Sequence, residues 1–131
     1  MFHPNTKEEL QDAVNLWREN QDLALEKYDN INTWDVSKIS NMSNLFIDYN
    51  NFNDDISNWN VSNVDDMSYM FSGAKLFNSD ISNWNVSNVT NMESMFEEAE
   101  TFNQSIENWD VSDRKSTRLN SSHRCISYAV F

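Results

Sequence analysis

Ile-Ser-Asn-Trp-Asn-Val-Ser-Asn-Val-Asp-Asp-Met-Ser-Tyr-Met-Phe, residues 56–71, decides the fold because the chain repeats this pattern. Each copy carries one tryptophan, and successive tryptophans are 25 residues apart: Trp34, Trp59, Trp84 and Trp109. No insertion or deletion interrupts the period. A strict period of this size predicts stacked structural units rather than a layered globule.

The period divides the chain into three full repeats, 31–55, 56–80 and 81–105, and a partial fourth, 106–112. Several positions hold the same or a similar apolar residue in every full repeat. In the second repeat these are Ile56, Trp59, Val61, Val64, Met67, Met70, Phe71 and Phe77. We predict that these fixed positions, tryptophans and methionines included, form the core. Positions that vary between repeats are expected to face solvent.

Two local patterns alternate within each repeat. Residues 56–61 alternate between two sets of side chains, which predicts a short strand. In 67–74 the apolar residues recur at i, i+3, i+4 and i+7, which predicts a short helix, and Asp65 stands at its N-cap position. The sequence therefore predicts an α/β repeat in the style of a leucine-rich-repeat solenoid, with one short strand and one short helix per coil.

Residues 1–30 are predicted to be helical. Thr6 and Glu9 fit a capping box at the start of a helix over 5–19, and a second short helix is expected over 21–28. A generic helical hairpin would fit this pattern. We favour an N-terminal helical cap, because the first coil of a solenoid has an open apolar end that something must cover.

Residues 113–131 break the repeat pattern. They carry a net charge of +3, which leaves −15 for the rest of a chain whose net charge is −12. The segment looks like a translated sequencing adapter. We therefore interpret 113–131 as an artefactual tail, disordered or loosely packed, and expect self-association through the uncapped C-terminal end of the stack.

Composition excludes several classes of function. A net charge of −12 argues against nucleic acid or an anionic membrane surface as partner. No apolar run is long enough for membrane insertion. His3 is the only histidine before the tail, which argues against a catalytic triad or a histidine metal site. We expect no enzyme activity, no cofactor and no metal, and we interpret acidic pairs such as Asp54-Asp55 as solvated turns rather than a weak cation site.

The repeated elements Trp59-Asn60-Val61-Ser62-Asn63-Val64, Met67-x-x-Met70-Phe71 and Phe77-Asn78-x-Asp80-Ile81-Ser82 resemble the BspA-like leucine-rich-repeat surface proteins. The resemblance covers 31–112 and is closest to the lipoprotein-type repeat of unknown function in that family. It implies a right-handed solenoid, a cell-surface location and adhesion or host-protein binding. Residues 1–4 lead into polar sequence without a signal peptide, so a cytoplasmic location stays open.

Three non-enzymatic functions fit the repeats: a protein-binding module of the adhesion type, an intracellular repeat adaptor, and a structural spacer with no ligand of its own. For binding, a strand that buries Trp59 and Val61 would turn its polar residues to solvent beside acidic turns. A varied residue on the predicted helix is a further candidate. The candidate partner-binding residues are Asn58, Asn60, Asn83, Asn85, Asp55, Asp80 and Tyr69.

Overall fold

The computed structural model describes residues 1–109; the partial repeat beyond 109 and the predicted tail, 113–131, lie outside the described residues. Helix α1 spans Lys7–Glu19 and helix α2 spans Gln21–Tyr28. A single 3-10 turn, Ile31–Thr33, leads into the repeats.

Each helix begins directly after a residue whose side chain caps its N-terminus. The Thr6 side chain accepts a hydrogen bond from the Glu9 N–H at 3.1 Å and so caps α1. Asn20 ends α1 and caps α2, since its side chain accepts from the Leu23 N–H at 3.2 Å. One face of α1 is buried: Leu10, Ala13, Val14 and Trp17.

The predicted α/β fold, a right-handed leucine-rich-repeat-like solenoid with one strand and one helix per coil, is wrong. Within residues 1–109, α1 and α2 are the only α-helices, both precede the repeats, and no residue belongs to a β-strand. Bridge pairing in this part of the chain is confined to two isolated parallel bridges, Asn41 to Asp66 and Asp66 to Asn91.

The predicted strand fails because its first residues close a turn. The Trp59 N–H bonds to the Ile56 carbonyl at 3.1 Å, so the chain reverses over Ser57 and Asn58. Ile56, Trp59 and Val61 are all buried, a spacing that an extended strand with two alternating faces cannot produce.

The predicted helix is also a series of turns. The Met70 N–H bonds to the Met67 carbonyl at 3.2 Å, three residues back, whereas an α-helix bonds four residues back. Left-handed φ angles at Tyr69 (58°) and Gly73 (73°) interrupt any helical run. The apolar spacing i, i+3, i+4 and i+7 arises here from consecutive tight turns.

Backbone hydrogen bonds between repeats replace the missing helix bonds. In the second repeat, alternate N–H groups donate to carbonyls 24 residues further on. The bonds are Met67 to Asn91 (2.8 Å), Tyr69 to Glu93 (2.9 Å), Phe71 to Met95 (2.9 Å) and Gly73 to Glu97 (2.7 Å). Residues 42–48 of the first repeat donate to 66–72 of the second in the same way. Consecutive repeats therefore lie side by side, and these bonds all point in one direction.

The predicted core is confirmed for the described residues. The fixed apolar positions are 7 % exposed or less. Phenylalanine rings stack between repeats, with centroids 5.4 Å apart for Phe46–Phe71 and 5.7 Å for Phe71–Phe96. The indole N–H groups of Trp59, Trp84 and Trp109 also donate to the preceding repeat, as Trp59 Nε1 does to the Ile31 carbonyl at 2.9 Å. Aromatic packing and buried hydrogen bonds together fix the 25-residue register.

Candidate functional site

The candidate partner-binding residues lie in turns rather than on the face of a strand. Asn58 and Asn83 occupy equivalent positions in successive repeats, one residue before the buried tryptophan. Both are exposed, and neither side chain makes a hydrogen bond to another described residue. Their amide groups are therefore available to a partner.

Asn60 and Asn85 are exposed, but their side chains take part in the turns. Asn60 Oδ1 accepts from the Ser62 N–H at 3.1 Å, and Asn85 Oδ1 accepts from the Ser87 N–H at 3.0 Å. Such Asx-turns stabilise the backbone locally. The Asn-x-Ser spacing was the sequence signal for this role, which the strand interpretation missed.

Asp55 and Asp80 form the same kind of turn. Asp80 Oδ1 accepts from the Ser82 hydroxyl at 2.7 Å and from the Ser82 N–H at 2.9 Å. Hydrogen bonds from the Ser57 side chain and backbone hold the pKa of Asp55 below its ordinary value, against a smaller opposing effect of the Asp80 charge. The two carboxylates stay ionised at neutral pH and add negative charge beside the exposed asparagines.

Tyr69 differs from the other candidate residues in its backbone conformation, which is left-handed. It is half-buried and has a φ of 58°. The equivalent positions are Asn44, with a φ of 62°, and Ser94, with a φ of 53°. Asparagine tolerates the left-handed region, whereas a bulky aromatic residue rarely adopts it. The fold therefore does not select tyrosine at this position.

An open cavity of about 570 Å³ lies at the N-terminal end, between residues 1–9 and α2. It contains none of the candidate residues. Two aromatic side chains line it, Phe2 and Tyr28, whose ring centroids are 4.5 Å apart, and the Lys27 ammonium group lies 5.3 Å from the Tyr28 centroid. This cavity does not extend the candidate surface.

No group of three or more histidine, cysteine or acidic residues within 1–109 is placed to hold a metal ion. Across the same residues, neither helix has the length and apolar character needed to cross a membrane. What remains is a set of exposed polar and acidic turns, together with the half-buried Tyr69 elsewhere in the second repeat.

One family model matches the chain over residues 11–123, and its description is "Mycoplasma protein of unknown function, DUF285". The match spans the three full repeats and includes 113–123, which we interpret as adapter-derived. The search of curated proteins found no match, and neither did the search of solved structures.

Proposed function

We propose that this chain, which belongs to the DUF285 family of Mycoplasma proteins of unknown function, is a non-enzymatic protein-binding module. Its resemblance to BspA-like surface repeat proteins favours adhesion or binding of a host protein. The repeated turns present similar polar groups at equivalent positions, which suits an extended contact with another protein.

Tyr69 is the observation that carries this proposal. A left-handed conformation costs an ordinary L-residue about 1–2 kcal/mol. Half-buried Tyr69 accepts this cost where the other repeats have Asn44 and Ser94. The same conformation recurs at Asn44 and Ser94, so it belongs to the repeat, and what distinguishes position 69 is its large aromatic side chain. Tyrosine is enriched among the residues that dominate protein interfaces. Tyr69 is therefore the proposed anchor of the contact.

The charge of the surface indicates the chemistry of the partner. Asp55 and Asp80 lie three residues before Asn58 and Asn83, and the chain carries a net charge of −12. A negative surface with free amide groups suits a basic or polar protein, because complementary charge speeds association and disfavours acidic partners.

The test measures binding of the purified chain to a panel of immobilised extracellular-matrix, serum and cytosolic proteins. Replacing Tyr69 with Asn should weaken binding at least about tenfold, as loss of an interface anchor does. The same change should leave the free energy of unfolding unchanged or raise it, because Asn tolerates the left-handed conformation. Full binding by the Tyr69→Asn variant would refute the role of Tyr69.

A charge-matched pair of variants tests the exposed amides. Asn58→Lys with Asn83→Lys changes the proposed surface, and Asn51→Lys with Thr101→Lys makes the same charge change at other exposed positions. We expect weaker binding for the first pair alone. If the two double variants bound equally well, Asn58 and Asn83 would not be part of the binding surface.

The same panel separates the alternative functions. Binding confined to cytosolic proteins would favour an intracellular adaptor over an adhesin. Binding to no protein in the panel, by a folded chain, would favour a structural spacer.

A further inference from the structure

The cavity at the N-terminal end is built on the first repeat, because residues on two of its sides are attached to Trp34. The Phe2 ring packs edge-on against Trp34 with centroids 5.3 Å apart, and the Phe2 carbonyl accepts the Asp35 N–H at 3.0 Å. The Tyr28 ring lies 6.0 Å from Trp34, and the Asp29 carbonyl accepts the Trp34 indole N–H at 3.1 Å. Trp34 is 3 % exposed, so a buried core residue holds both sides in place.

The lining of this cavity combines apolar groups with carboxylates. The apolar side chains include Phe2, Leu25 and Tyr28, and the acidic ones are Glu9, Glu26 and Asp29. One ammonium group, that of Lys27, opposes these three carboxylates. Aromatic ring faces and carboxylates both attract cations. The lining therefore suits a cation that carries an apolar stem.

Asp29 is not a residue that the local backbone selects. Its φ of 68° and ψ of −175° fall in a region that is essentially restricted to glycine. Glycine is also a common residue directly after a helix, which is where Asp29 lies. A carboxylate thus lines the cavity at a position where the backbone favours a residue without a side chain.

The Tyr28 ring already holds a cation from its own chain. The Lys27 ammonium group lies 5.3 Å from the ring centroid, within the range of a cation–π contact. Lys27 is exposed, and an ammonium group is strongly hydrated in water. Another cation can therefore take its place over the ring while Lys27 turns to solvent.

We propose that this cavity binds a guanidinium group on an aliphatic stem, which displaces Lys27 from the Tyr28 ring. A guanidinium group is planar and more weakly hydrated than an ammonium group, so it stacks on a ring while its N–H groups donate to carboxylates. The stem packs against Leu25. The group belongs either to a free compound or to an arginine of a polypeptide. The site is separate from the proposed protein-binding surface, whose candidate residues do not line it.

The first test follows the aromatic NMR signals of Phe2 and Tyr28 while the full chain is titrated with butylguanidinium. We expect saturable shifts that weaken at high salt. Butylurea, which has the same shape without the charge, should bind about fivefold more weakly or less. Absence of saturable shifts, or equal binding of butylurea, would overturn the proposal. Equal binding of butylammonium would overturn the preference for guanidinium.

Two variants change the cavity in opposite directions, each with a control at an exposed position outside it. Lys27→Gln frees the ring and should strengthen butylguanidinium binding roughly two- to fivefold, the size of an exposed cation–π contact, whereas Lys75→Gln should change it less. Glu26→Gln removes a carboxylate and should weaken binding more than Glu19→Gln does. All four side chains are exposed, so the variants keep the fold. If Lys27→Gln did not strengthen binding, or if the two glutamate variants bound alike, the proposed contacts would be wrong.

A second ligand and a third variant identify the source of the guanidinium group and separate this site from the protein-binding surface. A blocked Gly-Gly-Arg-Gly-Gly peptide is titrated beside butylguanidinium. Equal or tighter binding of the peptide assigns the site to an arginine of a polypeptide, and weaker binding assigns it to a free compound. Tyr69→Asn should leave butylguanidinium binding unchanged whatever it does to protein binding. Weaker butylguanidinium binding by Tyr69→Asn would overturn the separation of the two sites.

Discussion

Replacing Trp59 with Phe, and separately with Ala, should divide the stabilising role of one repeated tryptophan into its hydrogen bond and its packing. Trp59 is 3 % exposed, its indole N–H bonds to the Ile31 carbonyl at 2.9 Å, and its ring lies 6.3 Å from Trp34 and 5.8 Å from Phe46. Phe keeps an aromatic ring at the site, whereas Ala removes both interactions.

The hydrogen bond should contribute the smaller share. The Ile31 carbonyl also accepts the Trp34 N–H at 3.3 Å, so Trp59→Phe leaves it with one partner. The lost bond then costs about 0.5–1.5 kcal/mol rather than a full desolvation penalty. Trp59→Ala opens a cavity between two repeats and should cost about 3–5 kcal/mol.

Urea unfolding, followed by the fluorescence of the remaining tryptophans, measures both changes. Asn58→Ala is the control; it changes an exposed neighbour and should stay within about 0.5 kcal/mol of the wild type. Equal costs for Trp59→Phe and Trp59→Ala would refute the view that packing between repeats dominates.

The last described tryptophan offers a comparison within the same fold. Trp109 is 7 % exposed and has one ring neighbour among residues 1–109, Phe96 at 6.3 Å. Trp109→Ala should therefore cost less than Trp59→Ala. If Trp109→Ala cost as much stability as Trp59→Ala, or more, the number of ring neighbours would not determine the contribution of a tryptophan.

Three further predictions concern the turns and their titration. Burial raises the pKa of Tyr49 to about 12, so the folded chain should lose stability as the pH rises from about 10, where an unfolded tyrosine ionises, through 12. Between about pH 10 and pH 12, the urea midpoint should fall less for Tyr49→Phe than for the wild type. If the two midpoints fell equally with pH, ionisation of Tyr49 would not be the cause of the lost stability. The Ser82 hydroxyl bond holds the pKa of Asp80 below its ordinary value, so Ser82→Ala should raise that pKa. A depressed pKa stabilises the fold above the unfolded pKa, and this contribution is lost as the pH falls through the folded pKa. NMR titration should show a raised Asp80 pKa in Ser82→Ala, and urea unfolding should show that this variant loses less stability on acidification than the wild type does. An unmoved Asp80 pKa would refute the Ser82 hydroxyl as the cause. Gly73→Ala should cost about 1–2 kcal/mol in urea unfolding, because its φ is 73° and a Cβ would lie 2.3 Å from Asp48 Oδ1. Asp48→Ala in the same background should recover part of that loss, and no recovery would mean that φ alone sets the cost.

Part of the candidate site could be predicted from sequence. Polar positions beside a buried tryptophan are exposed, as Asn58 and Asn83 are, because the tryptophan fixes which neighbours face the core. The role of Asn60 could not be read from an alternating pattern. Its side chain closes a turn, and an Asx-turn and a strand are compatible with the same polar residue.

The sequence by itself determined the core and the register, because identical apolar residues return every 25 positions and can be buried only against their own counterparts. It did not determine the backbone between them. Spacings of three and four residues suit an α-helix and consecutive turns equally, and the choice depends on where alternate N–H groups find acceptors. In residues 67–73 those acceptors are carbonyls of the next repeat, so the turns exist only in the stack. The side chains of Lys7 and Gln11 likewise donate to distant groups, the carbonyls of Ser43 and Leu45, which lie 36 and 34 residues further along the chain. Tertiary structure decided these features because a hydrogen bond needs its partner in place, and the partner comes from another part of the chain.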